Sequence, residues 1–259
     1  ISSVFGESLW NVIAIQVLLD SASCILIAIM AKVLFGAGFW IAGVMSAINL
    51  NMIIISNALL TDTLFLFLFV IFLFSLIQYF KNDSIWWFIG LVVSISIATL
   101  VRGSTYYLLP ILFFSLLGWR LWQRDSLLKI GGLALIYIFI AAIALGGIHQ
   151  RNYQEYGSKA LVSQNGTYLL GWIVPATFQY SGQGSYQEGQ ELAKTRLALA
   201  LKQDKLEGLP LNPFESSAYK AKVGKDILFE FGFMNMFKAW AVGSSINLMA
   251  PSVAHAPAL

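Results

Sequence analysis

Two ionisable residues intrude into otherwise apolar sequence. Asp62 opens a greasy run in SNALLTDTLFLFLF (residues 56–69), and Arg102 divides LVRGSTYYLLP (residues 100–110). A third, Arg151, emerges from an apolar stretch in GGIHQRNYQEYG (residues 146–157). A charge placed against hydrocarbon is costly, so in such settings it usually faces a bundle interior or a water-filled cavity. Arginine can grip a phosphate through two parallel N–H donors. A carboxylate beside it orients the guanidinium or accepts a proton. A polar cavity with an acid and one or two arginines suits a lipid-linked phosphate. Each residue also has a plainer reading. Asp62 could cap a helix, Arg102 could snorkel to headgroups, and Arg151 could be an ordinary boundary residue. All three falling on the same side of a membrane favours a site.

The elements that must position these residues follow from composition. The chain has 259 residues, 58% of them hydrophobic and 11% charged, with a mean hydropathy of +0.73. A water-soluble domain carries about 25% charged residues, so lipid must be most of this chain's solvent. The net charge of +3 comes without the clustered basic stripe that nucleic acid requires. Charge-free runs at 21–31, 33–61, 63–80, 84–101, 103–119 and 130–148 predict an all-α polytopic membrane protein with about six transmembrane helices. These are expected near 8–31, 38–58, 62–80, 84–101, 104–121 and 128–148. The second run is softened by Asn49, Asn51 and Asn57, so it reads either as two short pieces or as one tilted helix.

Residues 1–148 are therefore expected to form a transmembrane bundle, and 149–218 a small extracytoplasmic loop or domain. Within the latter, residues 185–205 read as a solvent-exposed helix. Val223, Ile227, Phe231, Met234, Phe237 and Ala241 recur at helical spacing, which predicts an amphipathic helix over 219–248 lying on the membrane. An ordinary helix packed on the extramembrane domain fits the same spacing. Lys32, Lys81, Arg120, Arg124 and Lys129 fall in alternate loops. The positive-inside rule puts those loops in the cytoplasm and Asp62, Arg102 and Arg151 on the opposite side. The expected location is a bacterial inner membrane with the site facing outward. The chain starts at Ile1 and ends in PSVAHAPAL, and 249–259 reads as the start of a truncated C-terminal region.

Other polar residues carry less. Asp20 lies mid-span and is expected to clamp to Asn49 or Asn51, with a proton relay as the sharper alternative. Cys24, the single cysteine, reads as a small hydrophobe. His149 is a boundary histidine, and Asn165-Gly166-Thr167 is a sequon that says little by itself. No HExxH, CxxC, P-loop or GxSxG motif occurs.

The order of NALLTDTLFLFL, GLVVSISIATLVRGSTYYLLP, RNYQEYG and VSQNGTYLLGW resembles the multi-spanning glycosyltransferases of the GT-C class. It is most similar to the group containing the dolichyl-phosphate-mannose–protein mannosyltransferases and the aminoarabinose transferases. The likeness covers roughly residues 10–172, and more weakly the amphipathic segment. It implies an acidic residue at Asp62, a site arginine at Arg102, and an RN element at Arg151, Asn152, Tyr153 and Gly157. Gly103 stands where the family often has proline. The family's principal acidic motif lies in its first outer loop, which would precede Ile1. The resemblance therefore implies that the base is upstream, that Asp62 is a supporting catalytic residue, and that this piece alone is inactive.

The implied reaction is an inverting transfer of a sugar from a polyprenyl-phosphate-linked donor to a lipid, glycan or protein acceptor. Arg102, Arg151, Asn152, Tyr153 and Tyr106 are the implied substrate-binding residues, and membrane lipid is a further partner. A divalent cation is the candidate cofactor, since some relatives use one, although no clustered metal ligands appear. A lipid-linked sugar transporter or flippase, or a non-catalytic scaffold of the same fold, are the alternatives. The transporter would show inverted repeats and helices broken at the midplane, which the sequence does not display.

Overall fold

The computed structural model describes residues 9–57, 61–206 and 208–249, and these are mostly helical, with no strand among them. The segment expected over 249–259 lies, apart from its first residue, outside the described residues. Lipid explains the uniformity: without water to hydrogen-bond loose backbone groups, a segment crossing hydrocarbon must satisfy them internally. The chain divides into two units, residues 1–147 and 148–254.

In the first unit, α1 (Leu9–Phe35), α4 (Asp62–Asn82) and α7 (Leu127–Tyr156, whose last turns belong to the second unit) are long and apolar enough to cross a membrane. Their most apolar stretches are only 22%, 28% and 17% buried within the chain. Outward apolar faces of that extent suit hydrocarbon rather than water. Between α1 and α4, the chain forms α2 (Phe39–Ala47) and α3 (Leu50–Asn57). Of the two readings open for 38–58, the two short pieces are the ones found. Asn49 causes the break, because its side-chain oxygen accepts from the backbone N–H of Asn51 at 2.9 Å and caps α3. That also corrects the expected clamp on Asp20. Asn49 is spent on the cap, and Asp20 Oδ1 and Asn51 Oδ1 are both buried without a hydrogen-bond partner.

The fourth and fifth spans expected from the sequence correspond to α5 (Ile85–Val101, 17 residues) and α6 (Leu108–Trp122, 15 residues). At 1.5 Å per residue these run about 25 and 23 Å, short of the ~30 Å hydrocarbon core. Three helices therefore meet the length requirement among the described residues, rather than six. Helix α4 packs closely along α5 through small residues. A Cβ on Gly90 would come within 3.2 Å of Ser75 Oγ, and close backbone approach of this kind is how helices associate in lipid.

The turn joining α4 and α5 is held by a cluster the sequence reading missed. Arg120, 3% exposed, donates Nε–H to Tyr79 Oη at 2.7 Å and Nη1–H to Asp125 at 2.9 Å, and Nη2 pairs with Asp83. Its guanidinium lies 4.6 Å from the ring centroids of both Tyr79 and Trp119. Lys129 Nζ reaches Asp83 at 2.7 Å. The sequence treated Arg120 and Lys129 only as loop cations; in three dimensions two aspartates neutralise them. At the same end, Lys81 Nζ donates to the carbonyl of Val33 at 2.7 Å, tying α4 to the C-terminal turn of α1.

The second unit packs α8 (Asn165–Tyr168), a π-turn (Leu169–Ile173) and α9 (Val174–Tyr180) against α10 (Tyr186–Gln203), α11 (Pro213–Phe231) and α12 (Phe233–Met249). Its core is Leu170, Val174, Ala193, Val223, Ile227 and Leu228. Both α10 and α11 begin with a capping box, Ser185 with Glu188 and Asn212 with Glu215. Each box satisfies backbone donors that a helix start leaves orphaned. The helix expected over 185–205 thus exists, but it buries Gly189 and Ala193 rather than standing free.

The single amphipathic helix expected over 219–248 is two helices. Gly232 adopts φ +79° and ends α11, a conformation that costs glycine nothing. The expected apolar face is shared between different jobs. Val223 and Ile227 are buried in the core and Phe231 packs against it, whereas Met234 and Phe237 on α12 are exposed. For α11, the ordinary packed helix is the right reading.

Two measurements check these packings. The Arg120 and Lys129 hydrogen bonds hold the Asp83 carboxyl below its usual value of 3.8, against a smaller opposing effect of burial. A lowered folded-state value stabilises the fold above pH 3.8, and the gain is lost as pH falls through the folded value. Thermal unfolding should therefore show wild type losing stability below pH 3.8, and Asp83→Asn should be less stable at neutral pH with a flatter acid limb. A Cβ on Gly166 would run into the backbone carbonyl of Ser217, so Gly166→Val should destabilise the second unit by about 3 kcal/mol, the upper range for overpacking. Hydrogen exchange should show α8 and α11 losing protection together.

Candidate functional site

The first residue of α4 is Asp62, and the residue that leaves α5 is Arg102. Because α4 and α5 form a tight hairpin, residues 40 positions apart meet at its open end, and Arg102 Nη1 pairs with Asp62 Oδ1. Three local features set the arginine. Its backbone is extended (φ −137°, ψ 101°), which ends α5, and a 3-10 turn follows at Gly103–Tyr107. Its carbonyl is held by the Thr105 hydroxyl at 2.8 Å and the Thr105 N–H at 3.2 Å. Its guanidinium lies 5.7 Å from the ring of Phe65, one turn along α4 from Asp62.

Beneath the pair is a floor of hydroxyls. Thr63 and Thr99 are each 1% exposed and Thr105 is 9% exposed. Thr105 Oγ1 lies 3.1 Å from Thr99 Oγ1, and Thr99 donates to the Ile95 carbonyl at 2.9 Å. The floor is buried while the charges above it are not. The side chain of Arg102 is 55% exposed and that of Asp62 31% exposed. The guanidinium is thus fixed from below and from the side yet open to a ligand. An exposed pair of this kind adds only about 0–1 kcal/mol to stability, so folding alone gives it little reason to exist. Tyr106 and Tyr107 follow in the same turn, 37% and 62% exposed, with rings 6.0 Å apart at near right angles.

The other expected residues belong to the second unit. Arg151, on the last turns of α7, sits 3.6 Å from Glu155 with its side chain 64% exposed. Tyr153 is 56% exposed, with Lys159 Nζ 5.8 Å from its ring. Asn152 lies between them in sequence and is placed differently. It is 2% exposed, and its Nδ2 donates to the carbonyls of Ala160 and Leu161 at 2.9 and 3.1 Å. The amide nitrogen is therefore engaged with the chain's own loop, and Asn152 pins that loop. Gly157 (φ +65°) closes α7 with its N–H on the Tyr153 carbonyl at 2.9 Å. The RNYQEYG element therefore combines a buried pin, a helix stop and two exposed side chains. His149 Nδ1 lies 2.8 Å from the Lys159 carbonyl and helps hold the same loop.

Among the described residues, no three His, Cys, Asp or Glu side chains converge where a metal ion could sit.

The pin can be tested. Asn152→Ala removes two donors and should cost about 1–3 kcal/mol. Hydrogen exchange should rise at residues 158–163 while the apolar part of α7 stays protected; unchanged exchange would deny the pin.

The family model for dolichyl-phosphate-mannose-protein mannosyltransferase matches residues 1–144. No curated protein and no solved structure matches the chain. The matched span covers more than half of the 259 residues and contains Asp62, Arg102 and Tyr106. On this ground, together with its apolar helices, the chain belongs to the dolichyl-phosphate-mannose-protein mannosyltransferase family, membrane glycosyltransferases of GT-C type.

Proposed function

We propose that the protein transfers a sugar, with inversion, from a polyprenyl-phosphate-linked donor to an acceptor hydroxyl or amine on the extracytoplasmic side, and that Arg102 holds the donor phosphate. The observation that carries this reading is the Asp62–Arg102 pair: an arginine fixed at one end of a hairpin, paired with a carboxylate, and still open to a ligand. The acceptor atom attacks the anomeric carbon, the bond from that carbon to the phosphate oxygen breaks, and the acceptor's proton goes to a base. The polyprenyl phosphate leaves with one more negative charge. A cation already in place as that charge develops stabilises the transition state without having to reorganise.

Asp62 is a positioning residue in this scheme, because its pairing with Nη1 sets the plane of the guanidinium. A guanidinium carries five N–H donors in a fixed fork, so one carboxylate contact is compatible with phosphate binding. The base must lie within hydrogen-bond reach of the acceptor proton. Arg151 and Tyr153, exposed on the second unit, are assigned to substrate contacts. Helices α5 and α6 are taken as further crossings that thin the bilayer locally. The Arg120–Asp83–Lys129 end of the hairpin is placed in the cytoplasm. On α12, the exposed Phe233, Phe237 and Trp240 suit the headgroup boundary, and the second unit is placed outside the cell.

In the intact protein, Arg102→Ala should lower turnover by about 10²-fold or more at wild-type expression, the cost of removing one preorganised donor. Arg102→Lys keeps the charge but loses the fork and should recover only part of it. Turnover above about a tenth of wild type in Arg102→Ala would remove the arginine from the mechanism. Movement of labelled lipid across a vesicle without covalent transfer would replace the enzyme with a transporter.

A further inference from the structure

The second unit contains a cavity of about 160 Å3. Its lining includes Thr167 and Leu170, with Ala193, Lys194 and Leu197 from α10 and Lys220 from α11. The floor is apolar: Leu170 and Ala193 are 4% and 3% exposed. Its polar groups are Lys194 and Lys220, with Thr167 and Gln190 beside them, and no acid is among the lining residues. We propose that this cavity binds a phosphate monoester carrying a short apolar chain, with the phosphate between Lys194 and Lys220 and the chain on Leu170, Ala193 and Leu197.

The charge pattern selects the ligand. The two ammonium groups come from different helices, α10 and α11, and both line the cavity. Lys220 is half-buried, and its nearest protein partner is weak: Thr167 Oγ1 at 3.5 Å, the outer limit of a hydrogen bond. A half-buried ammonium beside apolar walls gains more from an anion than an exposed one, because less water screens it. Lys194 is 70% exposed and pairs with Glu191 at 2.7 Å. Exposed pairs of this kind are weak, so Glu191 yields readily to a doubly charged phosphate.

The volume selects the size. A cavity of about 150 Å3 holds a benzene-sized molecule, which leaves room for a phosphate and a few carbons. Lysine serves as a point-charge phosphate binder, and the aliphatic walls pack alkyl carbons. No lining residue is shared with the Asp62–Arg102 pair, so the proposal stands independently of the reading given under Proposed function. The phosphate could belong to a membrane lipid or to a free metabolite.

The test is titration calorimetry on the intact protein in lipid nanodiscs, with hexyl phosphate as the probe. Wild type should bind hexyl phosphate about tenfold more tightly than inorganic phosphate or hexanol. Lys220→Gln and Lys194→Gln should each weaken it about tenfold, as loss of a charge-assisted contact requires. Lys220→Arg should retain binding, and Lys225→Gln, at an exposed position outside the lining, should have no effect. If Lys220→Gln fails to fold by circular dichroism, Lys194→Gln at its exposed site decides.

Nanodiscs with and without phosphatidic acid identify the source. Competition by the lipid assigns a membrane headgroup, and no competition assigns a free ester. Absence of hexyl phosphate binding, equal binding of hexanol, or binding unchanged in both glutamine variants would overturn the proposal. Inorganic phosphate binding as tightly as hexyl phosphate would overturn the amphiphile assignment.

Discussion

The first unit depends on how a pair of apolar helices disposes of its charges. Helices α4 and α5 form a hairpin whose middle is all apolar or small side chains. Charges are therefore confined to its two ends, and each end is closed by ion pairs. At the turn, Arg120 is buried between Tyr79 and Trp119 and balanced by Asp83 and Asp125. At the open end, Arg102 meets Asp62. Burying a guanidinium is costly unless its donors are satisfied. The turn cluster meets that condition with an aromatic hydroxyl and two carboxylates, and it fixes the hairpin's register.

With one end locked, the open end inherits its geometry. The exposed pair is worth little to stability, while the threonine floor and the extended backbone at Arg102 hold the guanidinium in one place. That division of labour suits a transferase. Stability comes from the buried cluster and from close packing at Ser75 and Gly90, and the accessible pair of Asp62 and Arg102 contributes little to it. The second unit works on different terms. It is built on capping boxes, a small apolar core and a glycine at 166 that lets α8 lie against α11.

Much of this was legible in the sequence because lipid permits so few alternatives. Apolar runs of helical length located α1, α4 and α7, and the asparagines at 49, 51 and 57 left 38–58 open between two short pieces and one tilted helix. Asp62 and Arg102 drew notice as charges that no loop excused, and that signal needs no knowledge of contacts. Pairings between loop residues were not legible. Asp83 and Asp125 look like ordinary loop acids until the fold brings them to Arg120. Gly232 was hidden because apolar spacing continues across it, and a positive φ leaves no trace in periodicity. The loop contacts of Asn152 were hidden for a related reason. A family motif marks a residue as needed without saying whether it touches substrate or holds the loop that does.

The central claim is that the Arg102 guanidinium lies on the donor's phosphate. The most direct measurement is the dipolar coupling between 15N-labelled arginine and the phosphorus of bound polyprenyl phosphate, by solid-state NMR on the intact protein in lipid. Arg102→Lys serves to identify the signal. The account predicts an arginine nitrogen within about 4 Å of phosphorus, as a charge-assisted N–H···O contact requires, that disappears in the variant. A coupling that survives Arg102→Lys, or none while the phosphate is demonstrably bound, would contradict it.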